Sequence, residues 1–172
     1  APSDLVANPQ TGALYSDEDK IDDQGRRQDP YFKCGWNRYL LRSQNMFCHL
    51  TVLNTALARE VGGFRSGYEG AQDHDLVLRC VERLQGADIV HVPRILYHWR
   101  AIPGSTARAT SEKPYAALAG QRAVQDHLDR IGVKARVELL PIGHFRVRYA
   151  LPEPVPLVSL IIPTRNGVKL LR

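Results

Sequence analysis

The pattern of apolar and polar positions changes period several times along the chain, and each change marks an element. "GALYS" is apolar and β-prone, and predicts a short buried strand that runs into an acidic turn, "DEDKIDD". "DDQGRRQDP", with Gly25, Pro30 and its charges, predicts a loop. "NMFCHLTVL" predicts a strand, and "NTALAREVGGF" a short helix capped by Asn54 or Thr55 and closed at Gly62. "AQDHDLVLRCVERLQG" predicts a longer helix. Its apolar stripe is Val77, Cys80, Val81 and Leu84, and Gly86 is its stop. Asp73 falls in or just before the first turn of that helix, where free N–H groups and the helix dipole favour a carboxylate.

"DIVHVP" predicts a strand, and "RILYHWR" leads out of another. "IPGSTARATSEKP" reads as a mobile loop. A third helix is predicted over 114–131, with Ala117, Gly120, Val124, Leu128 and Ile131 on one stripe, Pro114 in its first turn and Gly132 at its end. "VKARVELLPIGHFRVRYAL" predicts two strands around 141–143. "PEPVP" is a stiff linker, followed by an apolar strand and a polar turn in "LVSLIIPTRNG". No internal repeat is evident.

Composition is that of an ordinary soluble globular chain: 44% hydrophobic and 24% charged over 172 residues. No apolar run approaches the roughly 20 residues of a membrane span. Cys34, Cys48 and Cys80 are odd in number and lack C-x-x-C spacing, which argues against a disulfide framework or zinc ribbon and fits a reducing compartment. The net charge is +5, yet the first 29 residues hold seven acids against three bases. A basic body around an acidic patch suits phosphate-bearing ligands or an anionic membrane surface as well as plain solvation. No lysine-rich run or interleaved aromatic platform points to nucleic acid.

Three positions carry candidate chemistry. Asp17 and Asp19 form a D-x-D after the buried strand. Aspartates at i and i+2 of an extended chain point the same way, and hard oxygens select magnesium, manganese or calcium. A calcium EF-hand fails, because Ile21 stands at the third ligand position and Asp22 where glycine is required. A solvated acidic turn is the competing reading. Taken alone, His98 in "YHWR" reads more readily as a structural histidine, and Asp73 in "EGAQDHD" as a helix cap than as a base.

The order of the motifs is more specific than any one of them. "YSDEDK", "DPYFKCGWN", "LLRSQNMFCHL", "VGGFR", "GYEGAQDHDLVLRCVE" and "ILYHWRAIPGSTA" resemble the C-terminal half of family 2 inverting glycosyltransferases of the GT-A fold. The resemblance covers about residues 4–130. It implies that Asp73 is the general base, that Asp17 and Asp19 bind the donor's diphosphate and ribose, and that Asp17, Asp19 and His98 form the metal site for Mn2+ or Mg2+. It further implies acceptor contacts from Trp36, Asn45, Gly62, Gly63 and Phe64. Cys34-Gly35 stands where relatives commonly show Pro-Asp, which removes a carboxylate and a rigid turn.

The expected fold class is α/β: a partial GT-A, Rossmann-like mixed sheet with flanking helices, followed by a helix and a small β-hairpin. The expected division is 1–108 for the rear half of a catalytic domain, 109–152 for a helix and hairpin connector, and 153–172 for a linker and the first strand of a second domain. The excerpt alone is expected to be inactive. The parent would act in the cytoplasm or at the inner face of the membrane on a nucleotide-sugar donor and a glycan or lipid-linked acceptor. Residues 157–163 are expected to be a strand able to pair with the sheet left open by the missing half; otherwise that open edge would favour a dimer. The alternative is a non-catalytic sugar- or metal-binding module that keeps the fold.

Overall fold

The computed structural model describes residues 10–101, 114–141, 143–163 and 165. A four-stranded mixed sheet is built on β1 (Ala13–Ile21). Strand β2 (Arg27–Tyr31) pairs antiparallel with its second half and β3 (Thr51–Leu53) with its start. Strand β4 (Ile89–Arg100) runs parallel along its whole length. Strands β2 and β3 therefore share one edge of β1, and β4 takes the other.

The helices are α1 (Arg38–Ser43), α2 (Thr55–Glu60), α3 (Gln72–Val81) and α4 (Pro114–Arg130). A hairpin of β5 (Ala135–Leu139) and β6 (Phe145–Tyr149) follows. This is the mixed α/β arrangement expected, with the helix and hairpin in their expected places. Tyr15, Leu41, Met46, Phe47, Val77, Leu78, Val124, Leu128, Val137 and Phe145 form one buried cluster, so the helix and hairpin share a core with the sheet.

The caps follow local chemistry. The Asn54 side chain accepts the backbone N–H groups of Ala56 and Leu57 at the start of α2. At its end, Gly62 N–H reaches Arg59 O and Gly63 N–H reaches Ala58 O, the paired pattern of a Schellman motif. Gly62 sits there at φ +88°, a conformation that costs an L-residue about 1–2 kcal/mol. Gly132 and Val133 close α4 by the same pattern.

Six expectations differ from the structure. The loop expected over "DDQGRRQDP" ends at Arg26, and its second half is β2, held by the antiparallel ladder to β1. Helix α3 ends at Val81, short of Leu84 and of its expected stop at Gly86, which opens a separate short turn over Gly86–Asp88. The acidic stretch is not a turn: β1 continues through it to Ile21, because β2 and β4 hydrogen-bond it on both sides and Arg27, His91 and His98 meet its carboxylates. The strand expected over "NMFCHLTVL" shortens to Thr51–Leu53, because residues 44–50 turn back on themselves through bonds such as Cys48 N–H to Asn45 O. The two segments around Pro93 form one strand, with a register shift between Ser16 and Glu18 absorbing the irregularity. Residues 157–163 form no strand; Leu157 is 96% exposed and Ile161 92%, so the pairing with the sheet is not made. The loop expected over 102–113 lies outside the described residues.

Candidate functional site

Strand β1 separates two groups of polar side chains. On one face, Asp17 and Asp19 are both buried, at 3% exposure. Asp17 Oδ1 accepts the Lys33 backbone N–H at 2.9 Å and lies 2.8 Å from His91 Nε2. Asp19 Oδ1 lies 2.5 Å from His98 Nδ1, and its Oδ2 accepts from Arg27 Nε at 2.5 Å. Burial alone would raise the pKa of Asp19, but the hydrogen bonds from His98 and Arg27 outweigh it and hold the carboxyl below its usual range. Asp22 instead fills the β1–β2 turn, accepting the N–H groups of Gln24 and Arg26 and the Arg26 side chain.

On the other face a cavity of about 410 Å³ opens, a size that suits a small ligand. Its polar lining is Glu18, Gln44, Asn45, His49 and Asp73. Asp73 stands in the first turn of α3, as its position in the sequence predicts. Its Oδ1 accepts the His74 N–H at 2.9 Å. Its Oδ2 accepts from Cys48 Sγ at 2.7 Å and Asn45 Nδ2 at 3.2 Å. Burial, then the Asp73 charge, pushes the Cys48 thiol well above its ordinary value, so it is a neutral S–H donor.

Glu18 Oε2 accepts the His49 backbone N–H at 2.9 Å and lies 2.7 Å from its Nδ1. The His49 ring stacks on Tyr97 and tilts against Trp99. The opposite wall is apolar and comes from α4 and the hairpin: Ala116, Ala117, Gly120 and Phe145. Aromatic faces beside carboxylate and amide groups suit a ligand with an apolar face and several hydroxyls.

The structure thus joins Asp19 with His98, and Asp73 with Asn45. Asp17, on the same face of β1 as Asp19, pairs with His91 and the Lys33 N–H rather than with His98. The remaining expected positions lie apart from both groups. Trp36 packs edge-on against Phe47 and lines a second cavity with Arg42, Glu82 and His127. Gly62 and Gly63 close α2, with Arg79 donating to the carbonyls of Val61 and Gly63. Phe64 is 67% exposed. Asp73 and Asp75 also stand at D-x-D spacing, but Asp75 is buried between Arg65 and Arg79 and holds the fold.

Among the described residues no three His, Cys, Asp or Glu side chains gather as a metal-ligand set. Asp19 and His98 do converge, offering one hard oxygen and one imidazole nitrogen. They bond each other, and Arg27 takes the second Asp19 oxygen, so the two would have to part to hold a cation.

Similarity to known proteins bears on this geometry. No family model matches the sequence. Over 170 residues, 98% of this chain, it is 51% identical to the uncharacterized protein y4gI of Sinorhizobium fredii. The chain is also similar to a protein of known assignment. That is the O-antigen biosynthesis protein RfbC of Myxococcus xanthus, 39% identical over 168 residues, again 98% of this chain. The chain spans 19% of the first relative and 13% of the second.

Several cavity groups were not singled out by sequence reasoning. Glu18 was hidden between the two aspartates of the D-x-D, although strand alternation sends it to the opposite face. Cys48, His49 and Trp99 carried no spacing signal, because their partners lie 25 or more residues away or sit across strands.

Proposed function

We propose that the chain is part of a family 2, GT-A-type glycosyltransferase domain, followed by a helix and hairpin. Its parent acts in the synthesis of a bacterial cell-surface polysaccharide. The observation that carries this reading is the cavity that places Asp73 and Asn45 against Glu18, His49 and Trp99. The buried Asp17 and Asp19, with the exposed His98 beside Asp19, lie across the same strand. Similarity to the O-antigen protein over nearly the whole chain supports it.

In this reading an acceptor hydroxyl oxygen attacks the anomeric carbon of a nucleotide sugar. The bond from that carbon to the diphosphate oxygen breaks, its electron pair leaves with the diphosphate, and the centre inverts. Asp73 takes the hydroxyl proton. The aromatic rings of His49 and Trp99 orient the sugar, and the apolar wall excludes water. Asp19 and His98, with Asp17 beside them, would hold a Mn2+ or Mg2+ ion, which when bound stabilises the charge that develops on the diphosphate.

Calorimetry on the full-length protein tests the donor side. Manganese titrated in the presence of a nucleoside diphosphate should bind at least tenfold more weakly to Asp19→Ala than to the wild type. Equal binding, or none to the wild type, would reject the assignment.

A further inference from the structure

Asp73 receives more donors than its place at a helix start requires. A carboxylate offers about four lone pairs, two on each oxygen. The Cys48 thiol and the Asn45 amide take both on Oδ2, while His74 N–H takes one on Oδ1. Asn45 also donates to Cys48 Sγ at 3.0 Å, so thiol, amide and carboxylate form a closed triangle. All three line the same cavity.

We infer that Cys48 is a positioning residue: with Asn45 it saturates Asp73 Oδ2 and leaves Oδ1 as the atom that receives the acceptor hydroxyl's proton. This rests on the proposed role of Asp73, but the clamp itself is testable without turnover. The thiol stays protonated because it is itself largely buried and faces the Asp73 carboxylate. The proton it donates fixes the carboxylate's rotation about its Cβ–Cγ bond. Capping the sulfur would free that rotation and place bulk in the cavity, closing the site.

The three cysteines provide their own controls, since Cys34 is exposed, Cys48 is intermediate and Cys80 is buried. The chain is treated with iodoacetamide at pH 8 and the alkylation rate of each cysteine is read by mass spectrometry. Asp73→Asn removes the charge that holds the Cys48 proton, so Cys48 should alkylate about tenfold faster, with Cys34 and Cys80 unchanged. Asp73→Ser removes the same charge with a different shape and should give the same order. An unchanged or slower Cys48 in both variants overturns the inference. So does a rise at Cys80 in step with Cys48, because that reports general loosening. None of these outcomes depends on the transferase reading, which fails or stands separately on activity.

Discussion

Replacing Gly70 by alanine tests how α4 is fixed against the cavity. Gly70 lines the cavity just before α3 and sits at φ +85°. A Cβ there would lie 2.6 Å from Ala116 Cβ and 3.1 Å from Ala116 Cα, so it meets both a side chain and the backbone of α4. The left-handed conformation costs an alanine about 1–2 kcal/mol. Forcing a methyl into a packed contact costs about 1–3 kcal/mol. The stiffer unfolded chain returns about 0.4–1 kcal/mol. The net expectation is a loss of about 3 kcal/mol, or a fall in Tm of about 6–12 °C for a chain of this size. Urea unfolding, followed by the fluorescence of Trp36 and Trp99, reads it directly. Ala116→Gly in the same chain removes the Cβ overlap but not the backbone strain. The double variant should therefore recover about 1–2 kcal/mol, seen as a coupling energy in the four-way cycle. A Gly70→Ala loss under about 0.5 kcal/mol, or zero coupling with Ala116, would refute the packing of α4 on this loop.

Other variants test the remaining supports. Asn54→Ala removes the cap of α2 and should cost about 1 kcal/mol by urea denaturation. Asp75→Asn leaves the nearly buried Arg79 without its partner and should cost about 3–5 kcal/mol at pH 7. Burial works to raise the Asp75 pKa, but hydrogen bonds from Arg65 and Arg79 hold it below the unfolded value. Its stabilisation is therefore full above about pH 4 and is lost as the pH falls through the lower, folded value. Acid titration of stability should thus be flatter below pH 4 in Asp75→Asn than in the wild type. Gly62→Ala should cost about 1–2 kcal/mol, from the φ strain at the end of α2.

Elements with their own local signals were legible in the sequence. Helix α3 shows its stripe at Val77 and Cys80, α2 has Asn54 before it and Gly62 after it, and the hairpin has its strands on either side of 141–143. Elements specified by distant partners were not. The acidic half of β1 reads as a turn because strand propensity disfavours aspartate. It is a strand because His91, His98 and Arg27 reach it from β4 and β2. Proline 93 suggests a break, yet β4 runs through it. Within the site, Asp73 and Asp19 were visible through position and spacing. The Cys48, Asn45, Glu18 and His49 partnerships were not, because only the folded backbone brings residues 18, 49 and 73 to one cavity.

The most direct test of the proposed transfer is made on the full-length protein with manganese and a panel of UDP-, GDP- and dTDP-sugars. Transfer of the sugar to a glycan acceptor is measured by the release of nucleoside diphosphate, beside donor binding by calorimetry. Asp73→Asn should reduce turnover at least about 100-fold while donor affinity stays within threefold of wild type. Turnover retained in Asp73→Asn, or no turnover of any donor by the wild type, would contradict the account.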